Sequence, residues 1–259
     1  NINDKISYEE FIEYFNTRAL ENDKRNFERI PIKFRNGRIN DSKWYFLLIY
    51  IFSVLIDVDK LDSAMIEPKR IKHIPKTNVD TYLEQKRGKD KQADLNDNRE
   101  EVRQIMLNQI RNMSDDEIRE THFYTLTAPT GIGKTLSSLQ TALYLQERIM
   151  ELEEYTPRII TAIPFINIIE QNKKEYQNVI GDNGTVVIHH RLSDYSLNEK
   201  GREGIPVDTA LLETESWEGD IVLTTFVQLF QSIFSGNNRL LKKINKLAGS
   251  IVILDEAQA

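Results

Sequence analysis

Thr127-Ala128-Pro129-Thr130-Gly131-Ile132-Gly133-Lys134-Thr135 is the stretch whose reading decides the fold. Phe123-Tyr124-Thr125-Leu126 before it is short and β-prone. Leu136, Leu139 and Leu143 after it recur at helical spacing. Strand, glycine loop and helix are the context that a phosphate-binding loop requires. Gly131 and Gly133 let the backbone bend so that several N–H groups point at one anion, and the helix adds its positive end. The residues expected to cradle the phosphates are Thr130, Gly131, Ile132, Gly133, Lys134 and Thr135. One position departs from the strict pattern G-x-x-x-x-G-K-[ST]: Ala128 stands at the first glycine.

Outward from the loop, strands alternate with helices. Arg158 to Ile163, Thr185 to Ile188, Asp220 to Thr224 and Ser250 to Leu254 read as strands, and Phe165 to Tyr176 and Phe226 to Phe234 as helices. Continuous β-branched or apolar strands are those covered on both faces. The expected fold class is therefore α/β with a mostly parallel sheet. Arg191 to Gly219 is long, polar and glycine-containing, so a surface insertion with a short helix near Leu211 is expected.

Asp255 and Glu256 follow the last strand, at the strand end where ligands sit in open α/β sheets. With the loop they form the two halves of an ATP-hydrolysing site. Lys134 would reach the β- and γ-phosphates, and the Thr135 hydroxyl would ligate Mg²⁺. Asp255 would hold Mg²⁺ through water, and Glu256 would polarise the attacking water as general base. The cofactors implied are ATP and Mg²⁺.

The 259 residues are 40% hydrophobic, enough for one large domain or two small ones. There are no cysteines, which excludes disulfides and Cys-based zinc sites and fits a reducing, cytoplasmic setting. The net charge of −6 means that any nucleic-acid surface must be local. Asn1-Ile2-Asn3-Asp4-Lys5 is no signal peptide, and the chain lacks an initiator Met and stops beside an acidic cluster. A fragment of a longer protein, missing both ends, is expected.

Residues 5–30 are polar and helical in flavour, and Asp41 or Ser42 would cap a helix running through Leu61. Trp44 to Ile56 is apolar all round. A membrane span needs about 20 such residues, so a buried core helix is expected. Leu48, Phe52 and Leu55 mark a stripe that Asp59 continues, while Asp57 sits on another face. From periodicity alone these acids are solvated as the helix leaves the core. From Pro75 to about Asn98 the sequence is charged, with Lys86-Arg87-Gly88-Lys89-Asp90-Lys91-Gln92 lacking apolar period, and reads as a linker. Arg99 to Ile110 returns to helix, with Val102, Ile105, Met106 and Gln109 on one side.

Ala128 to Thr135 together with Asp255-Glu256-Ala257-Gln258 resembles motifs I and II of superfamily 2 helicases, a family with Ala at the first loop position. Thr161-Ala162-Ile163-Pro164 through Gln171 resembles a motif that contacts the nucleic-acid backbone, and Thr224-Thr225 with Gln228 a further strand-contacting one. One branch is similar in more detail: the CRISPR-associated helicase–nucleases of type I systems. Pro164-Phe165-Ile166-Asn167-Ile168-Ile169-Glu170-Gln171, His189-His190, Glu215-Ser216-Trp217 and Thr224-Thr225-Phe226-Val227-Gln228 carry that likeness.

The resemblance implies a RecA-like domain over residues 116–259, cut after motif II. It implies a linker and helix over 76–115 and, over 1–75, the all-α end of an HD nuclease domain. In that family a core helix ends in a metal-ligating acid, which Ser53 to Asp62 resembles. This reverses the reading from periodicity: Asp59 becomes the expected ligand of a divalent transition metal, and Asp57 the second choice. His73, His122, His189 and His190 are the only histidines and none precedes Asp, so the His-Asp pair of an HD site would lie outside the chain. Gln258 would sense nucleotide for a second RecA-like domain. His189 and His190 would lie near the nucleic-acid path, and Trp217 reads as a packing residue.

The expected activity is ATP-driven translocation on single-stranded DNA, in a parent protein recruited by an RNA-guided surveillance complex to degrade foreign DNA. A general repair or restriction helicase is the second reading. A non-catalytic module that binds nucleotide or a partner is the third. No membrane association is expected.

Overall fold

The computed structural model describes residues 42–87, 93–129, 131–190, 212–234 and 238–257. The expectations at residues 5–30, Asp41, Gly88 to Gln92, Thr130, Arg191 to Leu211 and Gln258 lie outside these. The chain divides into two compact units, residues 1–49 and 50–259. Of the first, only the start of helix α1 (Ser42–Ser63) is described.

Among the described residues four more helices follow α1 before the sheet: α2 (Thr77–Arg87), α3 (Ala93–Asn112), α4 (Asp115–Glu120) and α5 (Lys134–Glu153). Then come β1 (Ile159–Ile163), α6 (Ile166–Ile180), β2 (Val186–His189), β3 (Ile221–Thr225) and α7 (Phe226–Phe234). Two short helices, α8 (Asn238–Leu241) and α9 (Ile244–Leu247), lead into β4 (Ile251–Leu254). The strands form one sheet in the order β2-β3-β1-β4, parallel throughout, so the α/β expectation holds.

Every residue of β1 and β3 is buried. Alternation along β1 splits the core in two. Ile159 and Ile163 join Leu139 and Leu143 of α5 and Ile169, Tyr176 and Ile180 of α6 on one face. Ile160 and Ala162 meet Trp217 and Leu229 of α7 on the other. Trp217, fully buried, is a packing residue as expected. Among the described residues β4 has only β1 as neighbour and leaves Val252 and Leu254 exposed.

Four expectations need correction. Phe123 to Leu126 is no strand: the run lies in no regular element, and Phe123 is 93% exposed. Strand conformation is sustained by ladder hydrogen bonds, and here no neighbouring strand among the described residues supplies them. The stretch read as a linker holds α2, whose Val79 is fully buried and whose Tyr82 and Leu83 pack on the core. On α3 the inward residues are Arg103, Leu107 and Ile110, while Ile105 is exposed. Arg103 sets that face, bonding Asp80 of α2, Glu100 and Gln140 of α5. Finally, α1 is not buried all round: Phe52, Leu55 and Val58 are exposed, whereas Ser53, Asp57 and Leu61 are buried. No described helix is long and apolar enough to cross a membrane.

Candidate functional site

The site forms at the carboxyl edge of the parallel sheet. Gly131 and Gly133 take left-handed φ values of 79° and 82°. Nothing lies within 4 Å of a Cβ built on Gly131, so backbone conformation alone demands glycine there. Gly133 is the N-cap of α5, and the first N–H groups of a helix lack intrahelical partners and face an anion readily. Lys134 and Thr135 open the helix. The loop is braced from α3, where Arg99 Nε donates to the Gly131 carbonyl at 2.9 Å. The sequence reading missed Arg99, and a lone Arg on a charged helix carries no signal of that role.

β4 delivers the acids. The Asp255 N–H donates to the Ala162 carbonyl at 3.0 Å, which extends the β1–β4 pairing by one residue. Glu256 then turns into left-handed backbone at φ 55°. The Thr135 hydroxyl donates to Asp255 Oδ2 at 3.5 Å, and Lys134 Nζ lies 3.5 Å from Glu256 Oε1. Two residue pairs that are remote in sequence therefore meet as expected in one place. A hydroxyl and a carboxylate side by side are hard oxygen donors of the kind Mg²⁺ takes. With an ammonium and a glycine-bent helix terminus beside them, the set fits a magnesium nucleotide.

Burial pushes the Asp255 carboxyl above its ordinary value, and the neighbouring Glu256 charge adds to it. The folded chain thus holds this proton to higher pH than the unfolded chain does. The group's contribution to stability is greatest at low pH and is lost as pH rises through the raised value. Mg²⁺ needs the carboxylate, so it competes with the proton. Magnesium–nucleotide affinity is expected to weaken on acidification before the ordinary carboxylate range is reached. Asp255→Asn is expected to raise the melting temperature of the nucleotide-free protein at neutral pH while removing Mg²⁺-dependent turnover. Calorimetric titrations and melts across a pH series check both signs.

The other expected residues fall as follows. Pro164 ends β1 beside the same edge, and Gln171 is exposed on α6. Thr224 is fully buried and donates its hydroxyl to the His189 carbonyl at 2.8 Å. Thr225 Oγ1 accepts from the Gln228 N–H at 3.2 Å and caps α7. His189 and His190 are buried at the end of β2. Asp59 is exposed, with Lys60 Nζ at 3.5 Å. Asp57 is buried and points the other way, to Lys246 Nζ at 2.8 Å. Among the described residues no group of three or more His, Cys, Asp or Glu is placed to hold a metal ion.

Residues 84–257 match the family described as type III restriction enzyme, res subunit. A stretch of 176 residues, 64% of this chain, is 33% identical to the CRISPR-associated nuclease/helicase Cas3 of Haloferax volcanii. The match covers 19% of that relative, so the chain spans about a fifth of its length.

Proposed function

Because this chain belongs to the family of type III restriction enzyme res subunits, we propose that it is the first RecA-like ATPase domain of a superfamily 2 helicase. The domain would run over residues 116–259, with 76–115 leading into it and 1–75 ending an HD-type nuclease domain. The reading rests on one observation above all: Lys134 and Thr135 stand within 3.5 Å of Glu256 and Asp255. Lys134 neutralises phosphate charge, Thr135 and Asp255 hold Mg²⁺, and Glu256 takes the proton of the attacking water. Bound Mg²⁺ supplies charge neutralisation on the transferred phosphoryl group. Gln258 would pass the nucleotide state to a second RecA-like domain. That domain would exclude water and complete the site.

The substrate proposed is single-stranded DNA, running past Pro164, Gln171, Thr225 and Gln228, with Thr224 supporting from below. Likeness to the CRISPR-associated nuclease/helicase supports recruitment by an RNA-guided complex and degradation of foreign DNA. In that reading Asp59, or Asp57, belongs to the metal site of the HD domain. The family match by itself equally supports a restriction-type helicase without an RNA-guided partner.

ATP turnover of the full-length protein with and without single-stranded DNA is the test. Stimulation of at least about tenfold is expected, below the factor of about a hundred or more that one preorganised donor contributes. Equal, measurable turnover in both conditions would discard DNA-coupled translocation, and negligible turnover in both would leave a non-catalytic nucleotide-binding module.

A further inference from the structure

Asp57 is only 2% exposed, on a helix whose neighbouring face is open to solvent. Its Oδ2 accepts from Asn245 Nδ2 at 2.9 Å and lies 2.8 Å from Lys246 Nζ. One turn earlier, Ser53 Oγ accepts from the Asn245 N–H at 3.0 Å. Lys246 also pairs with Glu218, which is 1% exposed. Glu218 in turn accepts the Lys69 N–H at 3.2 Å. Beside it, Asp220 accepts the Lys72 N–H at 2.7 Å and the Thr185 N–H at 2.7 Å. Arg158, buried and drawn by Glu218, Asp220 and Asp57, closes the group and donates to the Gly219 carbonyl at 2.7 Å.

Three buried carboxylates, the buried Arg158 and the partly buried Lys246 thus sit at the amino edge of the sheet, the end away from Lys134 and Asp255. A buried charge is tolerated only when paired and hydrogen-bonded. Glu218 and Asp220 each spend their oxygens on two different segments, whereas Asp57 engages α9 through Oδ2 alone and its buried Oδ1 has no hydrogen-bond partner. Asp57 joins α1 to α9, while Glu218 joins α9 to the segment after α1. Asp220 joins that segment to β2. Segment 66–74 lies in no regular element, so at Lys69 and Lys72 its backbone bonds go to these side chains.

We propose that Asp57 acts as an anchor and not as a metal ligand. Through Lys246 and Glu218 it clamps the end of α1 and segment 66–74 to the base of the ATPase sheet. Asp59, two residues on, faces away from this group and is free of it. The metal half of this statement rests on the HD reading above; the clamp does not.

Hydrogen exchange of the full-length protein tests the clamp at the Lys69 and Lys72 amides. Asp57→Asn and Lys246→Met are each expected to speed exchange at Lys69 by at least about tenfold, since each strands a buried partner. Residues acting in one network are non-additive, so the double variant is expected to be no faster than the faster single. Asp59→Asn is expected to leave both amides unchanged. The sheet amides of Ile160 and Val222 are expected to stay protected in every variant. Additive effects, unchanged exchange at Lys69, or equal loss of protection in the sheet would overturn the clamp. Calorimetry with Mn²⁺ tests the metal half: Asp57→Asn is expected to bind as the parent does. Loss of Mn²⁺ binding with Lys69 still protected would make Asp57 a ligand and overturn the anchor. A parent protein that binds no Mn²⁺ would overturn the HD reading, and the exchange results would still decide the clamp.

Discussion

Glu256→Gln in the full-length protein is expected to cut ATP turnover by about a thousandfold, within the range that a positioned general base contributes. Nucleotide affinity is expected to change by no more than about threefold, because the amide keeps the shape of the carboxylate and its oxygen still faces Lys134. The residue is well placed for the role. It directly follows Asp255, the proposed Mg²⁺ ligand, and its left-handed backbone turns it out of the strand direction. Its oxygen comes within 3.5 Å of Lys134 Nζ, which would itself hold the phosphates. A base acts only from within reach of the water it deprotonates. Phosphate release gives kcat, and displacement of a fluorescent nucleotide gives Kd. Turnover within threefold of the parent would remove Glu256 from the chemistry and leave the Lys134 pair as a resting contact.

The site was more legible in the sequence than parts of the scaffold that carries it. Lys134, Thr135, Asp255 and Glu256 are readable because phosphate and Mg²⁺ chemistry restricts residue type, spacing and strand context together. β1 and β3 are readable because unbroken apolar runs mark strands covered on both faces. Phe123 to Leu126 has the same local character and yet forms no strand, since pairing depends on a neighbour and not on propensity. Helix α2 was hidden because its few core residues, Val79, Tyr82 and Leu83, are scattered among charges. Helix α1 misled in the opposite direction. The stripe of Leu48, Phe52 and Leu55 within its long apolar run is exposed, and the residues turned to the sheet-bearing part of the chain include Ser53 and Asp57, which hydropathy assigns to solvent. Only the partners reveal them: Asn245, 192 residues after Ser53 and 188 after Asp57, and its neighbour Lys246. Arg103 is the same case, a charge whose burial is explained by Asp80, Glu100 and Gln140 and by nothing in its own helix.

Lys134→Ala is expected to lose both binding and catalysis, with turnover down by about a hundredfold to a thousandfold, the usual cost of one preorganised donor. The Michaelis constant is expected to rise as well, because the ammonium meets phosphate in the ground state and in the transition state alike. Lys134→Arg is expected to rescue little. A planar guanidinium cannot take the place of a compact point charge at the first residue of α5. A second consequence separates this variant from a simple loss of contact. Lys134 holds the Asp255 carboxyl down against burial and against the Glu256 charge. Removing it leaves two neighbouring carboxylates without that cation, so the Asp255 carboxyl is expected to climb further. Mg²⁺ must then displace a proton held to still higher pH, and the acid limb of residual turnover is expected to move to higher pH than in the parent. Residual activity measured across pH checks this. An acid limb that does not move would mean that Lys134 acts on phosphate alone and that the electrostatics of Asp255 are set by burial and Glu256.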